Sequence, residues 1–223
     1  MTKILCFLCL VVFNCSAYAQ NFQEFKVGEI PDSLRTNSDR LIQFIRDVQA
    51  NTVADIGSGD LRLILKIANH YHDKTFVFED IDSSVCNKEA MHKVVMEENL
   101  QNIDTNNVSI WIGGMKSTHL PSNHFDLVLV LSTIHDMEYT DDMFEDIRRI
   151  LKPRGTLILQ CPVTEVQSET HKDIGCINRV MTHAEFNKLI INKQLKILKD
   201  WRFQFGSDMS YVKRIVMCKY YPN

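Results

Sequence analysis

Thr52-Val53-Ala54-Asp55-Ile56-Gly57-Ser58-Gly59-Asp60 is the stretch that decides how this chain is read. An apolar run with β-branched residues ends in an acid, two glycines follow, and an amphipathic segment, Leu61 to His70, comes next. That order predicts a strand, a tight turn and a helix. The glycines permit positive φ and close approach of a ligand to the backbone. The first amides of the helix then face whatever occupies the turn. A turn of this kind at the carboxyl end of a first strand is the usual nucleotide-binding position of an open α/β sheet. Short glycine turns are common, so the weight falls on what flanks this one.

Upstream, Asn37 or Ser38 can cap a helix with Leu41, Phe44, Ile45 and Val48 on one face. Downstream, Thr75-Phe76-Val77-Phe78 is a short buried strand ending in Glu79-Asp80-Ile81-Asp82, and Ser83 or Ser84 starts a helix through Met91, Val94 and Val95. Val108 to Ile112 is a third strand, closed by Gly113-Gly114. Phe125 to Leu131 is almost wholly apolar, as a central parallel strand covered on both faces should be. Thr140 caps a helix that Pro153 and Gly155 stop, and Thr156 to Leu159 is a fifth strand. The polar connection from Pro162 to Met181 is long enough to suggest a functional lid or partial disorder. Thr182 and Glu185 form a capping box for the last helix. Leu195 to Phe205 and Val212 to Cys218, with Gly206-Ser207-Asp208 between them, read as a terminal hairpin. Strand and helix alternate until that ending, which predicts a Rossmann-like three-layer α/β/α sandwich. Its sheet is seven-stranded and mostly parallel, closed by the antiparallel hairpin.

The chain has 223 residues, 45% hydrophobic and 24% charged, enough for one α/β domain with a full core. The net charge of -3, with no polybasic block, argues against a duplex nucleic-acid partner. Lys3, the apolar run Ile4 to Phe13, and Ala17-Tyr18-Ala19 read as a secretory signal peptide over residues 1–19. The alternative is an uncleaved N-terminal anchor, although the run is short for a membrane span. Residues 20–36 are an irregular segment, and 37–223 form the domain. Export, periplasmic or secreted, leaves Cys86, Cys161, Cys176 and Cys218 after cleavage. These permit two disulfides or are buried free thiols, and their spacing does not suit a zinc site; no metal is expected.

With these elements in order, the chain resembles the class I S-adenosylmethionine-dependent methyltransferases over nearly all of 37–223. Asp55-x-Gly57-x-Gly59 resembles the family's glycine-rich motif, where the acid and the turn hold the methionine part of S-adenosyl-L-methionine. Asp80 resembles the acid that takes both ribose hydroxyls, a role suited to a carboxylate with two accepting oxygens. Phe125-Asp126-Leu127-Val128 is similar to the fourth-strand motif, and Leu151 to Leu157 to the turn before the fifth strand. Two positions depart from the pattern. The family's third glycine is Leu61, which would narrow the room beside the cofactor. Lys116 stands where the family often has an acid for the adenine amino group, and a lysine can only donate. The resemblance then implies adenine recognition by backbone groups near Met115, or weak recognition.

The resemblance implies methyl transfer to a small-molecule acceptor, a displacement in which the enzyme supplies alignment and sometimes a base. His135, in Leu131-Ser132-Thr133-Ile134-His135-Asp136-Met137, is similar to the basic histidine of small-molecule O-methyltransferases, and the alternative is a loop histidine that shapes the pocket. Asp136 either orients that imidazole or caps the next helix, and Asp126 is read as a support for the fourth strand. His171, Asp173 and Arg179 are either acceptor contacts or surface residues, His70 and His72 are read as solvated, and Trp111 and Trp201 as packing residues. A second hypothesis is an exported methyltransferase-like fold without catalysis that binds a nucleoside-like or other small ligand. It meets the difficulty that this cofactor is cytosolic. A nicotinamide-dependent dehydrogenase ranks last, because Gly57-Ser58-Gly59-Asp60-Leu61-Arg62 lacks the third glycine of G-x-G-x-x-G.

Overall fold

The computed structural model describes residues 37–46, 48–165, 180–203 and 212–221. Helix α1 (Asn37–Ile45) leads into β1 (Thr52–Ile56), α2 (Arg62–His70), β2 (Thr75–Asp80) and α3 (Lys88–Glu97). Then come β3 (Val108–Ile112), β4 (Phe125–Leu131), α4 (Thr140–Ile150) and the long β5 (Leu151–Thr164). The chain closes with β6 (Met181–Thr182), α5 (His183–Asn192), β7 (Leu195–Phe203) and β8 (Val212–Tyr220).

The sheet runs β3-β2-β1-β4-β5-β8-β7, parallel from β3 to β5 and antiparallel where β8 joins β5 and β7 joins β8. This is the Rossmann-like, mostly parallel sheet with a terminal antiparallel hairpin that the sequence predicts, with one addition. The expected seven strands are joined by β6, which pairs with Val163 and Thr164 of β5 beyond the point where β4 ends at Gln160. Two residues carry no periodicity, so nothing in the sequence marks that strand.

β4 shows how the layers form. Leu127, Leu129 and Leu131 point to the face covered by α1, α2 and α3, while Val128 and Val130 point to the face of α4 and α5. Both faces are buried, which is why this strand reads as a continuous apolar run. Local signals set the helix ends. Asn87 accepts the Ala90 amide at 2.8 Å, so α3 begins after Asn87 instead of at Ser83 or Ser84. Thr182 and Glu185 form the expected capping box on α5, with bonds of 3.1 and 2.8 Å. Asn37 sends its side chain to Gln160 of β5, tying α1 to the sheet. Thr140 does not cap α4; its hydroxyl donates to the Met137 carbonyl.

Cys86, Cys161 and Cys218 are buried thiols, which excludes the two-disulfide option; Cys176 lies outside the described residues. Burial pushes the Cys86 thiol up to about 12. Among the described residues no helix is long and apolar enough to cross a membrane. The leader at 1–19, the segment 20–36, and His171, Asp173 and Arg179 are outside the described residues, as is the turn of the hairpin.

Candidate active site

The strand order reverses between β1 and β4, so a crevice opens at their carboxyl ends. The β1 turn lies there, strapped to the neighbouring strand. The amides of Gly57 and Ser58 both donate to the Glu79 carbonyl at 2.9 Å, and the Gly59 amide donates to Asp80 Oδ2 at 2.7 Å. Gly57 and Gly59 hold φ of 73° and 54°, which glycine adopts without strain. A Cβ at Gly57 would overlap Thr133, whose hydroxyl donates to the Gly57 carbonyl at 3.0 Å. A Cβ at Gly59 would meet no atom within 4 Å, so that backbone is open to a ligand.

Asp55 is 3% exposed. Its Oδ2 accepts from Ser58 Oγ at 2.8 Å, while Oδ1 is buried with no hydrogen-bond partner. Burial raises the carboxyl to about 7; the Ser58 bond opposes this and the Asp80 charge adds to it. Asp80 stands at the end of β2, with Oδ1 accepting from the Asp82 amide at 2.9 Å. Each of its oxygens takes one amide and retains a lone pair for a ligand hydroxyl.

The turn after β3 lies beside this pair, because the Gly113 amide donates to the Asp80 carbonyl at 3.1 Å. Met115 and Lys116 are at its tip, closed by the Gly114–Ser117 bridge. Met115 is half exposed. Lys116 turns away toward α4, with Nζ 3.6 Å from Asp142 and 4.3 Å above the Tyr139 ring. The turn is clamped from below by Asp146 of α4, which accepts from Ser117 Oγ, Thr118 N and Thr118 Oγ1 at 2.9, 2.9 and 2.6 Å. Burial alone would raise that carboxyl, but the Thr118, Arg149 and Ser117 bonds hold it below its ordinary value.

On the other side of the crevice β4 ends in Ser132, a non-glycine at φ 60°, and a 3₁₀ turn follows over Ile134–Asp136. The His135 side chain is 1% exposed, with Nε2 3.6 Å from Asp136 Oδ2. Asp136 therefore sits by the imidazole, and the N-cap position of α4 is Tyr139. Asp126 supports the base of β4, accepting from Asn51 N, Thr52 N, Thr52 Oγ1 and Lys152 Nζ at 2.7 to 3.1 Å. Burial works against its ionisation, yet those bonds hold it far below the usual carboxylate range.

One expectation is corrected. Leu61 does not narrow the room beside the turn, because its side chain is fully buried in the core under α2. Three features were missed. Thr133 locks the turn from β4, a contact between distant segments without a sequence signature. Glu79 is buried at 1% exposure with Oε1 unpartnered; an acid in an otherwise apolar strand was the available signal. Gln160 and Lys213, both buried, join Asn37 and Ser132 through bonds of 2.7 to 3.5 Å beside the end of β4. Trp201 packs edge-on against Phe44 at 5.0 Å, whereas Trp111 is 40% exposed on edge strand β3. Among the described residues no group of three or more His, Cys, Asp or Glu could hold a metal ion.

Residues 54–157 match the sequence model of a methyltransferase domain. Among solved structures the chain is similar to a SAM-dependent methyltransferase from Aquifex aeolicus, at 16% identity and TM-score 0.61 over 85% of this chain and 93% of that one. It is similar to the glycopeptide N-methyltransferase MtfA complexed with S-adenosylmethionine, at 13% identity and TM-score 0.62 over 82% and 87%. It is also similar to the [4+2]-cyclase SpnF, at 13% identity and TM-score 0.64 over 83% and 81%. No curated protein matches the sequence.

Proposed function

With a methyltransferase domain over residues 54–157 and S-adenosylmethionine as its cofactor, we propose that this protein transfers a methyl group to a small-molecule acceptor. The observation that carries the reading is the strapped β1 turn. Its open Gly59 backbone, its orphaned Asp55 oxygen and the Asp80 carboxylate lie together at the switch point. These residues fit the cofactor: an open backbone, an unsatisfied carboxyl oxygen and a neighbouring carboxylate suit a cationic nucleoside with vicinal hydroxyls. When bound, the cofactor supplies an electrophilic methyl on a sulfonium.

The chain supplies the rest. Asp55, Gly57 and Gly59 hold the amino-acid end, Asp80 takes the ribose hydroxyls, and Met115 and Lys116 flank the adenine. His135 is the base for an acceptor hydroxyl, with Asp136 orienting its ring. Acceptor entry needs the His135 shell to open, since the imidazole is buried. That burial favours the second reading, a fold that binds a nucleoside-like ligand without transfer. We also carry forward export through cleavage after Ala19, or tethering by an uncleaved anchor, which N-terminal sequencing of the expressed protein distinguishes.

Calorimetric titration with S-adenosylmethionine tests the cofactor site. Micromolar binding that weakens by about ten- to a hundredfold in Asp80→Ala is expected from loss of a charge-assisted pair of bonds. Unchanged affinity in Asp80→Ala would refute the ribose assignment. Methylation of a panel of phenols, amines and thiols then separates the two readings.

A further inference from the structure

Glu79 has no part in the reading above, yet it is among the most buried polar residues of the chain. Its carboxyl is wedged between the two turns that form the site. A Cβ at Gly113 would overlap Oε1, and the Gly57 amide lies close enough on the other side to favour its ionised form. Oε1 nevertheless has no hydrogen-bond partner. On the opposite face of the sheet Asp55 carries a second buried, unpartnered oxygen, its other oxygen being bonded to Ser58 of the β1 turn. Two buried, unpartnered carboxyl oxygens at the ends of adjacent strands cost stability, and chain partners do not relieve it.

The charges that bear on Glu79 share one sign. They are Asp80 on β2 itself, Asp55 from β1 and Asp146 from α4. The Cys86 thiol, ahead of α3, is held in its neutral form by burial and by the carboxyls of Asp80, Asp55 and Glu79. Arg149 is engaged by Asp146, and Lys116 by Asp142 and Tyr139. Burial first, then these charges, raise Glu79 to about 8, with Asp55 at about 7. Near neutrality the pair therefore holds protons that an arriving positive charge can displace.

We propose that Glu79, acting with Asp55, is a specificity-determining residue that exchanges a proton for the positive charge of the sulfonium cofactor and makes no such exchange for the neutral thioether product. The proposal rests on the cofactor reading above and deepens it. S-adenosylmethionine and S-adenosylhomocysteine differ by one methyl and one positive charge. A site whose acids must ionise to meet that charge releases a proton to solvent with the first ligand and retains it with the second. Preference for cofactor over product then grows with pH. Asp80 is already paired with two amides, so the adjustable charge is on the buried acids.

The test is calorimetry of the full-length protein with each ligand at pH 7.5, in phosphate and in Tris, whose ionisation enthalpies differ. Dissociation constants from pH 6 to 8.5 complete it, for wild type and Glu79→Gln. The expected excess release is about half a proton for S-adenosylmethionine over S-adenosylhomocysteine, so their affinity ratio shifts about threefold per pH unit. Glu79→Gln should reduce that excess by half or more. The α-amino group of both ligands titrates in the same range and cancels in the comparison between proteins. Both ligands binding with equal proton release, or an excess unchanged in Glu79→Gln, would overturn the proposal and leave the cofactor site standing. Binding of neither ligand at any pH would overturn the cofactor reading and the proposal with it. The wild-type proton count stands alone if the variant fails to fold.

Discussion

Replacing Glu79 by glutamine should stabilise the ligand-free protein at pH 8 and leave it nearly unchanged at pH 5. Glu79 is raised in the folded state from 4.5 to about 8, first by burial and then by its acidic neighbours. The native state therefore keeps a proton that the unfolded chain gives up as pH rises above about 4.5. Stability contributed by this group is fully present below that pH and is lost as pH rises through the window to about 8, then levels off. Glutamine resembles the protonated carboxyl in size and cannot ionise, so it is spared the loss. The full difference corresponds to a ceiling of roughly 5 kcal/mol. Coupling to Asp55 and relaxation around a buried carboxylate reduce what is measured to about 2–4 kcal/mol at pH 8, and to under about 1 kcal/mol at pH 5. For a chain of this length that is a gain of about 5–15 °C in melting temperature. Urea unfolding followed by circular dichroism, for both proteins at both pH values, reads the difference directly. A stability gap equal at the two pH values, or larger at pH 5, would show that Glu79 is ionised at neutrality and that the charge argument is wrong.

Three further perturbations probe other parts of the framework. Gly57→Ala places a methyl against Thr133 at a residue with φ 73°, and should cost about 1–3 kcal/mol together with cofactor affinity. Thr133→Ser removes the overlapping methyl and should restore part of that loss in a double-mutant cycle; additivity would place the damage elsewhere. Asp200→Ala strands Arg214, which is fully buried and bonded to Asp200 at 2.6 to 3.2 Å, and should cost about 3–5 kcal/mol in urea unfolding. His135→Gln should lower turnover on a hydroxyl acceptor by about 10²–10⁴-fold and remove the acidic limb of its pH profile, where protonation silences the base, with cofactor affinity unchanged. An intact pH profile would make His135 a residue that shapes the pocket.

The sheet was legible because its signals are local. β4 is apolar on both faces, the glycine turn follows a strand, and the capping box of α5 lies within four residues. The positions of Asp55, Gly57, Gly59 and Asp80 follow from their places at strand ends. What escaped was set by contacts between distant segments. Thr133 reaches Gly57 across 76 positions, and Asn37 reaches Gln160 across 123. No pattern of period two or 3.6 encodes such pairs. β6 escaped for another reason, since two residues beside β5 carry no alternation. The start of α3 moved because Asn87, an equally good cap, lies closer to the apolar face than Ser83 and Ser84 do.

Leu61 and Lys116 are the two departures from the methyltransferase pattern, and the structure weighs them differently. Leu61 heads α2 at φ 66°, a conformation that costs a residue with a Cβ about 1–2 kcal/mol. Its side chain is fully buried among Ile64, Leu65 and their neighbours, and burial of a leucine returns about 1.5–3 kcal/mol. Packing therefore matches or exceeds the strain, and the residue faces the core. The ligand side of the turn is left to Gly59, where nothing stands within 4 Å of an added Cβ. A third glycine is thus not needed to keep the turn open. Lys116 has no such compensation at the site, because its ammonium is directed to Asp142 and Tyr139 and offers the crevice no acceptor. The turn that carries it is held rigid by Asp146 from beneath, which leaves backbone groups around Met115 as the acceptors on that side. Asp55, Gly57, Gly59 and Asp80 match the pattern at one end of the crevice, and Lys116 departs from it at the other.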